Sequence, residues 1–506
     1  MRPKWKLTMW ILALGLLCAT GAMAQLVPPA GFDMIGFIQA ATVTGGAANT
    51  NPLAGGTLTI NGITMTVPKN SIVQMPAASF TWAQLFDPAF SAAVGTYVPA
   101  RPNHPAGRTG FAQNDTIQTH FPSYEVRVVG NVVNGQYIVG LILPIAQQGL
   151  NAGEGLINFI DYATGRFRVG GTIGNPLSGT LCEINDPVGR FSLAHSPDPR
   201  FTCDTSNPTI SAASGYPVGI PRVAPPAIDP LCPITNRPLN GTAGFPVDPF
   251  LAIGAPLRTF TMPAPGGAAG SPDPTKQVPL MVGDWVNFSG TLLKIDPLIG
   301  NTIANMFVSV HTLTAHLGIQ TLPGVKPAYV RVEVMLFGVG PILPPPAPAE
   351  ETSDRVVMVA FSTDPSATAS IFAITVDPFN GVEIERPFPN GANIPMNDPV
   401  RGRIRLQLNK NLPDPPGNAV GTGLYHREYI VKLSTGQMPN VANGLIAGQY
   451  RLPIFDYIFP EGAVFGQPIP PYNFQDFGFL AVGSGPLGGP GSGGPIIGRL
   501  NPWPGL

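Results

Sequence analysis

KQVPLMVGDWVNFSGTLLKIDPLIGNTIANMFVSVHTLTAHLGIQTLPGVKPAYVRVEVMLFGVG, residues 276–340, holds the longest strand-like runs of the chain. Val286 to Ser289 alternates apolar and polar. Phe307 to Leu313 does so again, with Phe307, Ser309, His311 and Leu313 on one side. Tyr329 to Phe337 places Arg331 and Glu333 on one face and Val330, Val332 and Val334 on the other. A period of two, rich in Val, Thr and aromatics, marks strands of a half-buried antiparallel sheet. The stretch therefore predicts a small barrel or sandwich module with Phe307, Leu313, Val332 and Val334 in its core. Trp285 is expected at the rim, because its ring N–H needs a partner.

Outward from this stretch the same signals recur. Leu58 and Ile60 mirror Ile63, Met65 and Val67 across Asn61-Gly62. Tyr124–Val133 and Gln136–Leu143 flank Asn134-Gly135. Asn-Gly between alternating runs is a hairpin signal, since both residues tolerate the positive φ of a type I′ turn. Gly155–Tyr162 and Arg166–Ile173 flank Ala163-Thr164-Gly165, and Ile371–Val376 and Val382–Ile384 flank Asn380-Gly381. Thr81-Trp82-Ala83-Gln84 reads as a capping box opening a short helix, one of very few. A strand, Gly and Thr/Val-rich strand pattern recurs weakly near 57, 126, 284 and 401. The fold class is all-β: several small antiparallel barrel- or sandwich-like modules with Pro/Gly-rich connections. The expected organisation is a signal peptide at 1–24, an N-terminal β region at 25–220, and a Pro/Gly-rich linker or surface wrap at 221–275. The central module at 276–340 follows, then a proline-rich spacer at 341–351, a third β region at 352–450, and an aromatic then Gly/Pro-rich tail at 451–506.

Arg2, Lys4 and Lys6, an apolar run from Trp10 to Leu17, and Ala22-Met23-Ala24 before Gln25 have the pattern of a secretory signal. Cys18 follows Leu17, where a lipoprotein needs a small residue. No later stretch reaches the ~18 apolar residues of a membrane helix. The expectation is a secreted protein, extracellular, periplasmic or at the cell surface. Charged residues are 11% of the chain and the net charge is −1, which offers no basic excess for nucleic acid. Gly and Pro number 60 each, yet 44% of residues are hydrophobic, more than a disordered chain carries.

Eleven of the nineteen Asp residues stand directly before Pro. Proline pushes its predecessor to extended geometry and the carboxylate can accept from nearby backbone donors, so Asp-Pro starts rigid turns. Calcium ligation in loops is the competing reading, without a DxDxDG-like spacing to support it. After signal removal Cys182, Cys203 and Cys232 remain. Cys182 and Cys203 flank one loop-like segment and are the expected disulfide, leaving Cys232 free or intermolecular. His311 and His316 are five apart, so on a strand they face opposite ways. There is no GxSxG in a strand-turn-helix context. Glu154, Asp161, Glu183, Asp186 and Asp204 cluster in sequence and supply the carboxylates that a glycosidase would need in pairs. Arg401, Arg403 and Arg405 share a strand face, with Ile404, Leu406 and Leu408 on the other. Their guanidinium forks suit carboxylates, sulfates or phosphates, unless cross-strand Glu383 and Glu385 neutralise them.

GNVVNGQYIVGLI (130–142), GLINFIDYATGRFRVGGTIG (155–174), INDPVGRFSLAHSPDPRFT (184–202), VGDWVNFSGTLLK (282–294) and VSVHTLTAHLGIQT (308–321) resemble a set of uncharacterised secreted β-rich proteins of bacteria and fungi. The resemblance implies an extracellular β protein and no reaction. The reading is a secreted non-catalytic binding, adhesive or matrix protein, with an acidic glycan or a cell-surface component as partner and no cofactor. The alternatives are a secreted polysaccharide-active enzyme using paired carboxylates, and an extracellular metal-binding protein.

Overall fold

Turn chemistry sets the first elements. The computed structural model describes residues 30–51, 54–69, 71–77, 79–87, 107–115, 124–144, 152–268, 270–338, 355–376, 383–388, 390–409, 426–438, 441, 444–453 and 456–458. The signal peptide, the proline-rich spacer, the Asn380-Gly381 turn and most of the tail lie outside them. Among the described residues the fold is all-β, 44% strand and 5% helical, without a helix of seven residues or more.

β1 (Ala30–Val43), β2 (Gly56–Ile60) and β3 (Ile63–Val67) form a meander. β4 (Ile72–Gln74) and β5 (Ser79–Thr81) are a short hairpin, and β6 (Glu125–Val133) and β7 (Gln136–Leu143) a longer one. Asn61 and Gly62 take φ of 51° and 75°, and Asn134 and Gly135 take 50° and 76°, as a type I′ turn requires. β1 pairs with β2 and β6, and β3 meets β7 in a parallel pairing, so five strands close into a ring. Leu58, Ile60, Met65, Val67, Val126 and Val128 belong to its core. The capping box is present: Thr81 N–H donates to Gln84 Oε1 at 2.7 Å, and Gln84 N–H to Thr81 Oγ1 at 3.4 Å. It opens a single 3₁₀ turn, Ala83–Phe86, which stops at Asp87-Pro88 because proline cannot continue it.

β8 (Ala152–Asp161), β9 (Arg166–Val169) and β10 (Thr180–Ile184) repeat the meander. β11 (Ile210–Ala212), β12 (Val218–Gly219), β13 (Thr259–Met262) and β14 (Val278–Pro279) are short. β15 (Trp285–Lys294) and β16 (Met306–Ala315) form a hairpin, followed by β17 (Gly318–Thr321). β8 pairs with β9 and β15, and β10 closes a second ring by pairing parallel to β16. Numbered along the chain, the five ring strands of both barrels run 1-2-3-5-4 around the ring, with strands 3 and 5 parallel. This is the order of an OB-type Greek-key barrel. The weak repeat near 126 and 284 marks the fourth ring strand of each.

The pattern of residues 276–340 predicts a module of their own, but they do not close one by themselves. β15 and β16 complete a barrel that begins at Ala152, because alternation identifies a strand without identifying its partner. The segment 221–275 is not a linker between modules. It lies within the insertion between the third and fourth strands of the second ring: β12 and β14, which flank it, pair with each other, and its own β13 pairs with β17, just beyond the last ring strand. Leu257, Phe260 and Met262 of the wrap enter the barrel core.

Two bulges redirect side chains. Ser289 pairs with Thr312 and Gly290 with Val310, which leaves His311 extra. Phe307 and Ser309 therefore face outward, Phe307 joining the first barrel's core, while Leu313 faces inward. The second bulge is at Glu333, between Val332 opposite Ala360 and Val334 opposite Val359. Trp285 is 41% exposed, at the rim as expected.

The third unit contains β18 (Val330–Gly338), β19 (Arg355–Ser362), β20 (Ala369–Val376), β21 (Glu383–Pro387), β22 (Arg403–Asn409), β23 (His426–Leu433), β24 (Gln449–Pro453) and β25 (Asp456–Ile458). Sheet β22-β19-β18-β25 and sheet β21-β20-β23-β24 form a sandwich. Val330, Met335, Met358 and Ile404 from one pack with Ile371, Tyr429, Val431 and Leu452 from the other. Val129, Leu141 and Leu143 of the first barrel join this core, and Leu293 of the second barrel joins the core of the first. The three units are thus continuous in packing.

Candidate functional site

β22 begins at the end of a turn that Asp398 starts. Its side chain accepts from Val400 N–H at 3.0 Å and Arg401 N–H at 3.1 Å, and pairs with Arg401 Nε at 3.0 Å. Arg401 lies in this turn, with its side chain 74% exposed. Arg403 and Arg405 lie on β22 and face outward, half-buried and exposed, while Ile404, Leu406 and Leu408 are buried in the sandwich. The expected alternation is therefore present, with Arg401 one turn removed from the strand proper.

The expected acidic neighbours are elsewhere. Glu383 and Glu385 lie on β21 of the opposite sheet, and Glu385 pairs with Lys432 Nζ at 2.5 Å. Opposite Arg403 and Arg405 on β19 stand Phe361 and Val359. Among the described residues no carboxylate pairs with either guanidinium. On the far side of Phe361 lies Arg331, its guanidinium carbon 5.2 Å from the ring centroid. The outer face of this sheet thus carries Arg331, Phe361 and Arg403 in one row. Sequence reading missed Phe361 and Arg331 as neighbours of the Arg run, since register between distant strands leaves no local pattern.

The five clustered carboxylates are engaged separately. Glu154 accepts from Asn287 Nδ2 at 2.8 Å. Asp161 caps its own turn through Ala163 N–H at 3.0 Å and Thr164 Oγ1 at 2.8 Å. Glu183 meets Arg166 Nε at 3.1 Å and His195 Nδ1 at 3.3 Å. Asp186 accepts from the N–H groups of Phe191 and Ser192 at 2.5 and 3.2 Å. Asp204 accepts from Ser206 N–H at 2.8 Å and Asn207 Nδ2 at 2.6 Å.

The Asp-Pro expectation is met in detail. Asp198, Asp229, Asp248, Asp273, Asp296, Asp364 and Asp398 each accept from the N–H two residues on, at 2.8–3.0 Å. Two of these carboxyls are shifted. Burial alone raises Asp229, but hydrogen bonds from the Arg222 guanidinium and from the N–H groups of Arg222 and Leu231 outweigh it and hold the carboxyl low. Asp364 is likewise raised by burial and held low overall by Ser366, Gly324 N–H and Thr435. Both native values lie below the unfolded one, so their stabilisation is present above about pH 4 and lost as pH falls through the native values. Urea midpoints are expected to fall from pH 5 to pH 2, and less steeply in Asp229→Asn; an equal pH slope in that variant would contradict the assignment.

Cys182, Cys203 and Cys232 are three free, buried thiols, so the expected Cys182–Cys203 bond is not formed. Cys203 N–H bonds the Asn185 carbonyl at 2.8 Å, which sets Cys203 level with a position three residues beyond Cys182. That offset is about 10 Å along a strand, beyond the ~7 Å Cα separation that a disulfide spans. Burial pushes all three thiols well up, and Cys182 and Cys203 pack as small apolar groups in the second barrel. His104 and His120 lie outside the described residues. Among the described residues no three His, Cys, Asp or Glu side chains come together to hold a metal, and no helix is long and apolar enough to cross a membrane.

Compared with protein-family models, curated proteins and solved structures, the chain matches none.

Proposed function

We propose that the protein is a secreted, non-catalytic binding protein that holds an acidic polymer, such as an acidic glycan of a cell surface or matrix, along β22. One observation carries the reading. Arg403 and Arg405 project from a buried-backed strand without a carboxylate partner among the described residues, and Arg401 stands exposed beside them. Planar guanidinium forks fixed on a strand recognise sulfate or carboxylate groups with little ordering cost. The OB-type barrels do not assign the function, because one fold hosts many.

The test is retention of the full chain on a heparin-like column. Arg401→Ala, Arg403→Ala and Arg405→Ala combined are expected to weaken binding roughly ten- to a hundredfold, from three charge contacts of up to about 1 kcal/mol each. Elution of the triple variant should shift to lower salt with folding intact, since these side chains point away from the core. Unchanged elution removes the proposal.

A further inference from the structure

We propose that one end of the second barrel docks on an anionic lipid surface. Two loops leave that end: 170–179 between β9 and β10, and 295–305 between β15 and β16. β10 and β16 run parallel with Cys182 opposite Val308, so the loops finish side by side, at Thr180 and Met306. Their tips are aliphatic and in water. Leu177 is 85% exposed, Leu298 69%, Ile299 49% and Ile303 97%.

Buried amides hold the loops out. Asn158 Nδ2 donates to the carbonyls of Asn175 and Ser178 at 3.0 and 3.1 Å, and its Oδ1 accepts from Gly171 N–H at 3.0 Å. Asn305 Nδ2 donates to the carbonyls of Asp296 and Ile299 at 2.9 and 3.2 Å, and its Oδ1 accepts from Asp296 N–H at 2.9 Å. Loops fixed in this way lose little entropy on docking.

Charge selects the occupant. Loop 170–179 has no ionisable residue. The one in the other loop, Asp296, turns back to accept from Leu298 N–H at 2.8 Å. Cations stand at both necks: Arg168 donates to the Gly179 carbonyl at 3.0 Å, and Lys294 to the Pro297 carbonyl at 3.0 Å. Aliphatic tips above a cationic collar match the acyl boundary and the anionic headgroups of a bilayer. A purely apolar protein partner gives the collar no role.

The experiment is flotation of the full chain with vesicles of phosphatidylcholine, with and without phosphatidylglycerol. Binding is expected to the anionic vesicles, weaker to the neutral ones, and reduced by salt. Leu298→Asp and Ile303→Asp should each lower partitioning about tenfold or more, and Ile303→Ser by less. Phe250 is 94% exposed but belongs to neither loop; Phe250→Asp should float as wild type. Absence of wild-type binding, or equal binding by Leu298→Asp and Ile303→Asp, overturns the proposal. So does dimerisation abolished by these changes without vesicle binding, which assigns the surface to a second copy of the chain.

Discussion

Arg237→Ala is expected to lower the unfolding free energy by about 3–5 kcal/mol. Arg237 and Asp284 are 2% and 3% exposed. Their contact is bidentate, Nη1 to Oδ2 at 2.6 Å and Nη2 to Oδ1 at 2.8 Å, and Arg237 Nε donates to the Leu257 carbonyl at 2.8 Å. Asp284 also accepts from Met281 N–H at 2.8 Å. The pair fastens the 221–275 wrap to the entry of β15. Removing the guanidinium leaves a buried carboxylate without its counter-charge, and that desolvated charge dominates the cost. The joint replacement Arg237→Met with Asp284→Leu removes both charges and should cost less than either single change. Urea unfolding in which Arg237→Ala loses under about 1 kcal/mol would show that the wrap is not held in this way.

Val332→Asp and Val334→Asp are expected to differ sharply, although strict alternation gives them one face. Val332 packs against the sandwich core, opposite Ala360. The bulge at Glu333 then shifts the phase, so Val334 faces out beside Val359, and Met335 takes the inward position opposite Met358. A carboxylate at 332 loses apolar contacts and must be buried or drag the strand away, a cost of about 2–4 kcal/mol. At 334, half-buried on the outer face, it keeps access to water and to the Arg-rich side of the sheet, a cost of about 1 kcal/mol or less. Equal destabilisation by the two changes, read from urea midpoints at matched slope, would place both valines inside and refute the bulge.

Local physics was legible in the chain. Asn61-Gly62 and Asn134-Gly135 announce their turns because positive φ costs those residues little, and Thr81 with Gln84 announces a cap because the two groups satisfy each other three residues apart. Seven Asp-Pro pairs likewise announce turns in which the carboxylate meets an amide two residues on. Each of these depends on atoms a few residues away. The outward placement of Arg403 and Arg405 over buried Ile404 and Leu406 followed from the period of a strand alone.

What lay beyond local reach was decided by tertiary structure. Residues 276–340 looked like one module, but β15 and β16 close on β8 and β10 while β18 pairs with β19, since pairing partners are chosen by closure and shared burial rather than by pattern. Glu383 and Glu385 were the expected neighbours of the Arg run, and the sandwich puts them on the opposite sheet. Single-residue bulges at His311 and Glu333 leave no trace in an alternation, yet each reverses every side chain after it. The proposed disulfide failed on three residues of strand offset, a distance that only the placement of Cys203 beside Asn185 could reveal.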